Sequence, residues 1–241
     1  MNIKITKNTD EQALLAANII KEQIKNKADS VICFATGSSP IKTYKQLIKM
    51  YENKEISFSK VTSFNLDEYI GISKENECSY YYFMHDTLFN HIDIKKENIN
   101  LPNGNGDIEK NALEYENLIK QKGGIDLMIL GIGVNGHIAF NEPGSKDSDR
   151  TREVELTQET IESNKIYFES EDQMPKTAIS MGIGTILEAK KIILIASGKS
   201  KSKAIYQTIK QKITPDVPAS FLQKHKDVTI ILDQEAAELL D

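Results

Sequence analysis

The chain has 241 residues, and 35 acidic groups against 30 basic ones leave it a net charge of -5 at pH 7. That length can bury one substantial core, while the acidic balance offers no basic surplus for coating a nucleic-acid backbone. No apolar run approaches the ~20 residues that span a bilayer, the N-terminal MNIKITKNTDEQ lacks the apolar core of a leader, and Cys33 and Cys78 form neither a CxxC pair nor a disulfide framework. The expectation is one cytoplasmic domain over residues 1–241, an enzyme or small-molecule binder with no nucleic-acid or membrane partner.

In chain order, Asn8 or Thr9 can cap a helix through EQALLAANIIKEQIKN, whose apolar residues recur at three and four. Ser30–Ala35 reads as a buried strand, followed by the turn TGSSP and a helix from Pro40 to about Tyr51. Lys60–Leu66 is the next strand. SYYYFMHDTLFNHI and DIEKNALEYENLIKQ read as helices, with the turn-rich NINLPNGNG between them. Ile125–Leu130 is the most apolar strand. A helix near Lys176–Ala189 follows an irregular stretch, then the strand Lys191–Ala196, a helix from about Ser200 to Lys210, the strand Asp227–Leu232 and a terminal helix. Apolar strands separated by helices imply an α/β fold: an open, mostly parallel, Rossmann-like sheet with helices on both faces. Ligands of such sheets bind beyond the carboxyl ends of the strands.

Three strand ends carry candidate chemistry. In ATGSSP, the small residues Gly37, Ser38 and Ser39 let backbone amides approach a ligand, Thr36 and the serines add hydroxyls, and a helix N-terminus follows. Such a loop suits a phosphate or other anion, although an ordinary strand–turn–helix connection has the same look. In NLDEY, Asp67 and Glu68 are adjacent carboxylates directly after a buried strand. One can face the crevice as a proton-abstracting base while the other faces solvent or a structural partner.

The third strand end, GIGVNGHIAFNEPGS (residues 131–145), is the richest. Its four glycines, Gly136 among them, bracket Asn135, His137, Asn141 and Glu142. An imidazole there can shuttle protons near neutrality, and Glu142 or Asn135 can orient its ring, as orienting groups do in catalytic triads. A dinucleotide reading of the GxG fails for want of the third glycine and a following helix. No metal site is expected, because His137 and Glu142 lack zinc-helix spacing and no second histidine is near. His85, His91 and His225 read as structural or solvated. Of the 30 basic residues only Arg150 and Arg152 are arginines, which hints at a need for a planar fork of donors.

NLDEYIG together with GIGVNGHIAFNEPGS resembles the glucosamine-6-phosphate deaminase family. The likeness continues through TGSSP, SYYYFMHD, ENINLPNG, DRTR, SMGIGTIL and PASFLQKH, in the family's order over nearly the whole chain. The related 6-phosphogluconolactonases carry a DER-type tripeptide in place of Asp67-Glu68-Tyr69 and lack the FNEP segment. The resemblance implies conversion of a 2-amino aldose phosphate to a ketose phosphate and ammonia. It gives His137 the ring-opening proton transfer, supported by Asn135 and Glu142, and makes Asp67 the base that moves a proton from C2 to C1. It assigns the sugar phosphate to Thr36, Gly37, Ser38, Ser39, Gly136 and Lys201. No cofactor is implied, because the substrate's own nitrogen delocalises the electrons.

Three departures from the family pattern stand out. Asn135 replaces an aspartate of many relatives, keeping an acceptor but no charge. Ile166, beside Lys165, aligns with a phosphate-binding arginine of some relatives. Val154 replaces a basic residue of the effector site, and the chain stops at Asp241 where regulated members continue. Hyperbolic kinetics without activation by N-acetylglucosamine 6-phosphate are therefore expected, with a monomer favoured over a homo-oligomer. Galactosamine-6-phosphate deamination, lactonase activity and a non-catalytic sugar-phosphate sensor are the alternatives.

Overall fold

The computed structural model describes residues 1–164, 168 and 174–240. Its strands are β1 (Asn2–Thr6), β2 (Val31–Phe34), β3 (Thr62–Asn65), β4 (Asp67–Tyr69), β5 (Ile99–Asn100), β6 (Leu127–Leu130), β7 (Arg152–Glu155), β8 (Thr177–Ser180), β9 (Ile192–Ala196) and β10 (Val228–Asp233). The helices are α1 (Thr9–Asn26), α2 (Ile41–Glu52), α3 (Tyr80–Thr87), α4 (Ile108–Gln121), α5 (Gln158–Asn164), α6 (Ile183–Leu187) and α7 (Ser202–Lys210).

Seven strands form one parallel sheet in the order β1-β10-β9-β6-β2-β3-β5, flanked by helices. Every residue of β2, β6, β9 and β10 is buried, as strands covered on both faces must be. α1 begins where Asn8 accepts hydrogen bonds from the amides of Asp10 and Glu11, and it buries Ala13, Ala16, Ala17, Ile20 and Ile24. Each Ile or Leu buried in this core contributes roughly 1.5–3 kcal/mol. Among the described residues no helix is long and apolar enough to cross a membrane.

The strand order sets the place of the crevice. From β2 the chain moves outward through β3 to β5, whereas from β6 it moves the other way through β9 to β10. β2 and β6 are neighbours, so the loops after them leave the sheet side by side at the switch point. The loop after β9 joins them from the other side of β6.

A second sheet, β4-β8-β7, is antiparallel and sits off the first. It corrects the helix expected near Lys176–Ala189: residues Thr177–Ser180 pair with strands on both sides, and only Ile183–Leu187 is helical. The chain after Asn65 likewise leaves the large sheet and enters the small one as β4. β1 and β5 were not expected, since the first is largely exposed and the second is two residues long. The terminal helix is not formed: residues 234–239 make turns, and Asp233 accepts from the amide of Ala236 at 2.8 Å.

Candidate active site

A cavity of about 330 Å³ opens at the switch point, within the usual range for small-ligand sites. It is lined by Thr36, Gly37, Ser38 and Ser39 from the loop after β2, by Asp67 of β4, by Gly131–Val134 and His137 from the loop after β6, and by Lys201 from the loop after β9. Tyr69, Tyr80, Phe140 and Phe168 add an aromatic flank.

The anion end follows from local structure. β2 delivers Thr36–Ser39 to the N-terminus of α2, where unsatisfied amides and the helix dipole favour negative charge. Among the described residues, the hydroxyls of Ser38 and Ser39 make no hydrogen bond within the protein and are left for a ligand. Lys199, Lys201 and Lys203 are close in sequence but diverge. Lys199 pairs with Glu238 at 3.0 Å, Lys203 is exposed, and Lys201 lines the cavity half-buried. Burial pulls the Lys201 ammonium below its ordinary pKa, against the opposing charge of Glu159.

The adjacent carboxyls of β4 have separate tasks. Glu68 accepts from the backbone amides of Tyr69, Tyr80 and Tyr81, each at 2.9 Å, and so anchors the first turn of α3. Asp67, 4% exposed, lines the cavity instead. Burial, and then the charge of Glu68, push the Asp67 carboxyl up to about 8 against a hydrogen bond from Thr36. Burial also raises Glu68, and its three amide donors oppose the rise.

The third loop builds a histidine–carboxylate pair. His137 Nδ1 lies 3.4 Å from Glu142 Oε2, close enough to pair but not aligned as a hydrogen bond. Gly133 makes room for the ring, because a Cβ there would sit 2.3 Å from it. Asn135 donates through Nδ2 to Glu142 Oε2 at 2.8 Å, and its Oδ1 accepts the amide of His137 at 3.1 Å. Thr160 and Thr157 donate to the other Glu142 oxygen. Burial alone would raise this carboxyl, but His137, Thr160 and Asn135 outweigh it and hold it down at about 2. Glu142 thus faces the ring, and Asn135 holds Glu142.

The structure therefore gathers Thr36, Gly37, Ser38, Ser39, Asp67, His137 and Lys201 around one cavity, with Asn135 and Glu142 behind the histidine. Gly136 does not join them. It makes the turn, and its carbonyl accepts from the Ala219 amide at 2.8 Å. Tyr69, Tyr80 and Phe140 lie inside motifs already singled out, but Thr157 and Thr160 come from a polar stretch with no telling spacing. His85 stacks on Tyr81, and His91 and His225 bond backbone carbonyls, all apart from the cavity. The aligned positions Lys165 and Ile166 fall outside the described residues.

Fold and site together define an α/β protein whose crevice can grip an anion at one end and move protons at the other. The model of the glucosamine-6-phosphate isomerases/6-phosphogluconolactonase family matches residues 6–231, and the chain belongs to that family. A glucosamine-6-phosphate deaminase of Thermoanaerobacter sp. (strain X514) is 53% identical over 241 residues, covering 100% of this chain and 95% of the relative. That of Mycoplasma mycoides subsp. mycoides SC is 54% identical over 240 residues, covering 100% and 98%. The solved structure of a monomeric glucosamine-6-phosphate deaminase superposes with a TM-score of 0.97 and 44% identity, over 99% of this chain and 100% of that one.

Proposed function

We propose that this chain converts glucosamine 6-phosphate and water to fructose 6-phosphate and ammonia, as a monomer and a single sugar-phosphate domain. The observation that carries the reading is one cavity lined by Asp67 and His137 together with the serine loop and Lys201. The phosphate sits on Ser38, Ser39 and Lys201, and this leaves the sugar to the part of the cavity lined by Asp67 and His137. His137 takes the proton of the C1 hydroxyl and returns one to the ring oxygen, which opens the pyranose; Glu142 orients its ring and steadies the imidazolium that forms.

Asp67 then removes the C2 proton and delivers it to C1. The electron pair left at C2 forms a C1–C2 double bond as the C1 carbonyl oxygen takes up a proton. The nitrogen lone pair of this enolamine then drives protonation at C1, and water hydrolyses the resulting C2 imine to the ketone and ammonia. Asp67 must be ionised to act as this base. Burial holds its carboxyl up at about 8 in the empty cavity. A C2 ammonium arriving beside it supplies the opposite charge that favours ionisation. An amine-bearing substrate is thereby matched to the site in a way that a lactone is not.

The test is ammonia release from glucosamine 6-phosphate and galactosamine 6-phosphate, run beside hydrolysis of 6-phosphogluconolactone. Turnover is expected with the first. Faster release from the galactose epimer, or lactone hydrolysis alone, would replace the reading, and binding without turnover of any would make the protein a sensor.

A further inference from the structure

The two arginines have different attachments. Arg150 directs its guanidinium to Glu188, at 2.6 and 2.9 Å, and to Glu116, an acid that is 6% exposed. Glu116 also accepts the amide and hydroxyl of Thr151 at 2.9 and 2.6 Å, so Arg150 belongs to a joint between α4, α6 and the start of β7. Arg152 faces the other way. One arm of its fork donates to Asn141 Oδ1 at 3.0 Å, and the other pairs with Asp149 at 3.2 Å.

Asn141 is fully buried and immediately precedes Glu142. Its side-chain amide donates to the carbonyls of Ile138 and Met181 at 2.9 and 2.7 Å, which leaves Oδ1 to be satisfied by Arg152. One residue earlier, the amide of Phe140 donates to Ser180 Oγ at 3.1 Å. Ser180 is the register partner of Asp67 on one side and of Arg152 on the other. The small sheet therefore carries the base on one edge strand and Arg152 on the other, with the histidine loop fastened across it. The segment that presents Arg152 is itself pressed close, since a Cβ on Gly182 would lie 2.1 Å from the Asp149 carbonyl oxygen.

We propose that Arg152 is a positioning residue which, by holding Asn141, keeps the Glu142 carboxylate set against the His137 ring for ring opening. The proposal rests on the reading of His137 given above. A lysine has one compact ammonium and cannot reach Asn141 and Asp149 with the fixed fork of a guanidinium. Without that donor, a buried amide oxygen is left unpaired and the turn bearing Glu142 is free to shift. Displacements of about 1 Å from residues outside the reacting centre lower rates by up to ~100-fold.

The experiment compares Arg152→Lys and Arg152→Ala with Arg150→Lys in the full-length protein. Each is assayed for ammonia release from the closed pyranose glucosamine 6-phosphate. Each is also assayed for solvent exchange of the C1 proton of fructose 6-phosphate with ammonium present, which needs Asp67 but no pyranose opening. Arg152→Lys is expected to lose kcat about tenfold with KM nearly unchanged, and to keep most of the exchange. Arg152→Ala should lose more and regain part of it in millimolar guanidinium. Arg150→Lys should melt at lower temperature with kcat preserved. Parallel loss of both reactions in Arg152→Lys, or an equal kcat loss in Arg150→Lys, would overturn the role of Arg152. A wild-type protein inactive in both assays would instead overturn the reading beneath it.

Discussion

Asp67 and Glu142 are both buried carboxyls at the same crevice, 4% and 9% exposed, yet they are held in opposite states. Asp67 stands on a strand with a like charge beside it and a single hydroxyl donor, and its carboxyl rises to about 8. Glu142 stands in a loop with a histidine, an amide and a threonine turned toward it, and falls to about 2. Burial is the largest influence on each and pushes both the same way, so it is the partners that divide them. A group kept near the proton-transfer range suits a base, and one kept ionised suits an orienting charge.

The largest expected effect tests that division of labour. Asp67→Asn removes the proposed base while keeping shape and the Thr36 contact, and turnover should fall ~100- to 10,000-fold with substrate still bound. Glu142→Gln should lose distinctly less, because it leaves in place the His137 ring proposed to move the proton. Equal losses, measured as single-turnover ammonia release, would mean that the two acids do not differ in kind.

A smaller effect concerns the pH profile. The proposed base must act as a carboxylate, so kcat/KM is expected to rise with pH through about 8 in the free protein. Glu68→Gln takes away the neighbouring charge and should move that limb toward lower pH. A limb that stays put would show that burial alone sets Asp67.

The smallest effects are in stability, and their signs are opposite. The fold favours protonated Asp67, so wild-type stability falls as pH climbs from the ordinary aspartate range to about 8. Asp67→Asn should therefore melt higher than wild type, by a margin that grows through that window and then levels. Glu142 stabilises above the ordinary glutamate pKa, and that contribution is lost as pH falls toward about 2. Glu142→Gln should melt lower than wild type at neutral pH and draw level in acid. Melting curves of both variants from pH 3 to 9 separate the outcomes, and shifts of the same sign would break the comparison.

Much of the site was legible because it depends on chain order. Glycine-rich stretches directly after fully apolar strands put Ser38, His137 and their neighbours at the carboxyl edge of the sheet, and parallel pairing of β2 with β6 brings the loops together. What was hidden depends on contacts between distant segments. The residues of β8 are apolar enough for a buried helix turn, and only β4 and β7 on either side make them a strand. The residues alone left Asp67 and Glu68 undivided and only the resemblance pointed to Asp67, because the amides of Tyr80 and Tyr81 that occupy Glu68 lie a dozen residues on. The arginine pair signalled a need for guanidinium forks, but not that one fork joins helices while the other touches Asn141.

Ser180 carries one further consequence. It is the common register partner of Asp67 and Arg152, and its hydroxyl receives the amide of Phe140. A shift of β8 by one residue would turn this side chain to the opposite face and disturb the register of Asp67, the register of Arg152 and the anchoring of Phe140 in one step. Gain or loss of a single codon between Thr177 and Gly184 should thus have no silent position, whereas the exposed turn at Asn53–Glu55 can vary in length without reaching the chemistry. Lineages of this enzyme are expected to record that asymmetry as a fixed spacing from β8 to α6 amid drifting surface loops.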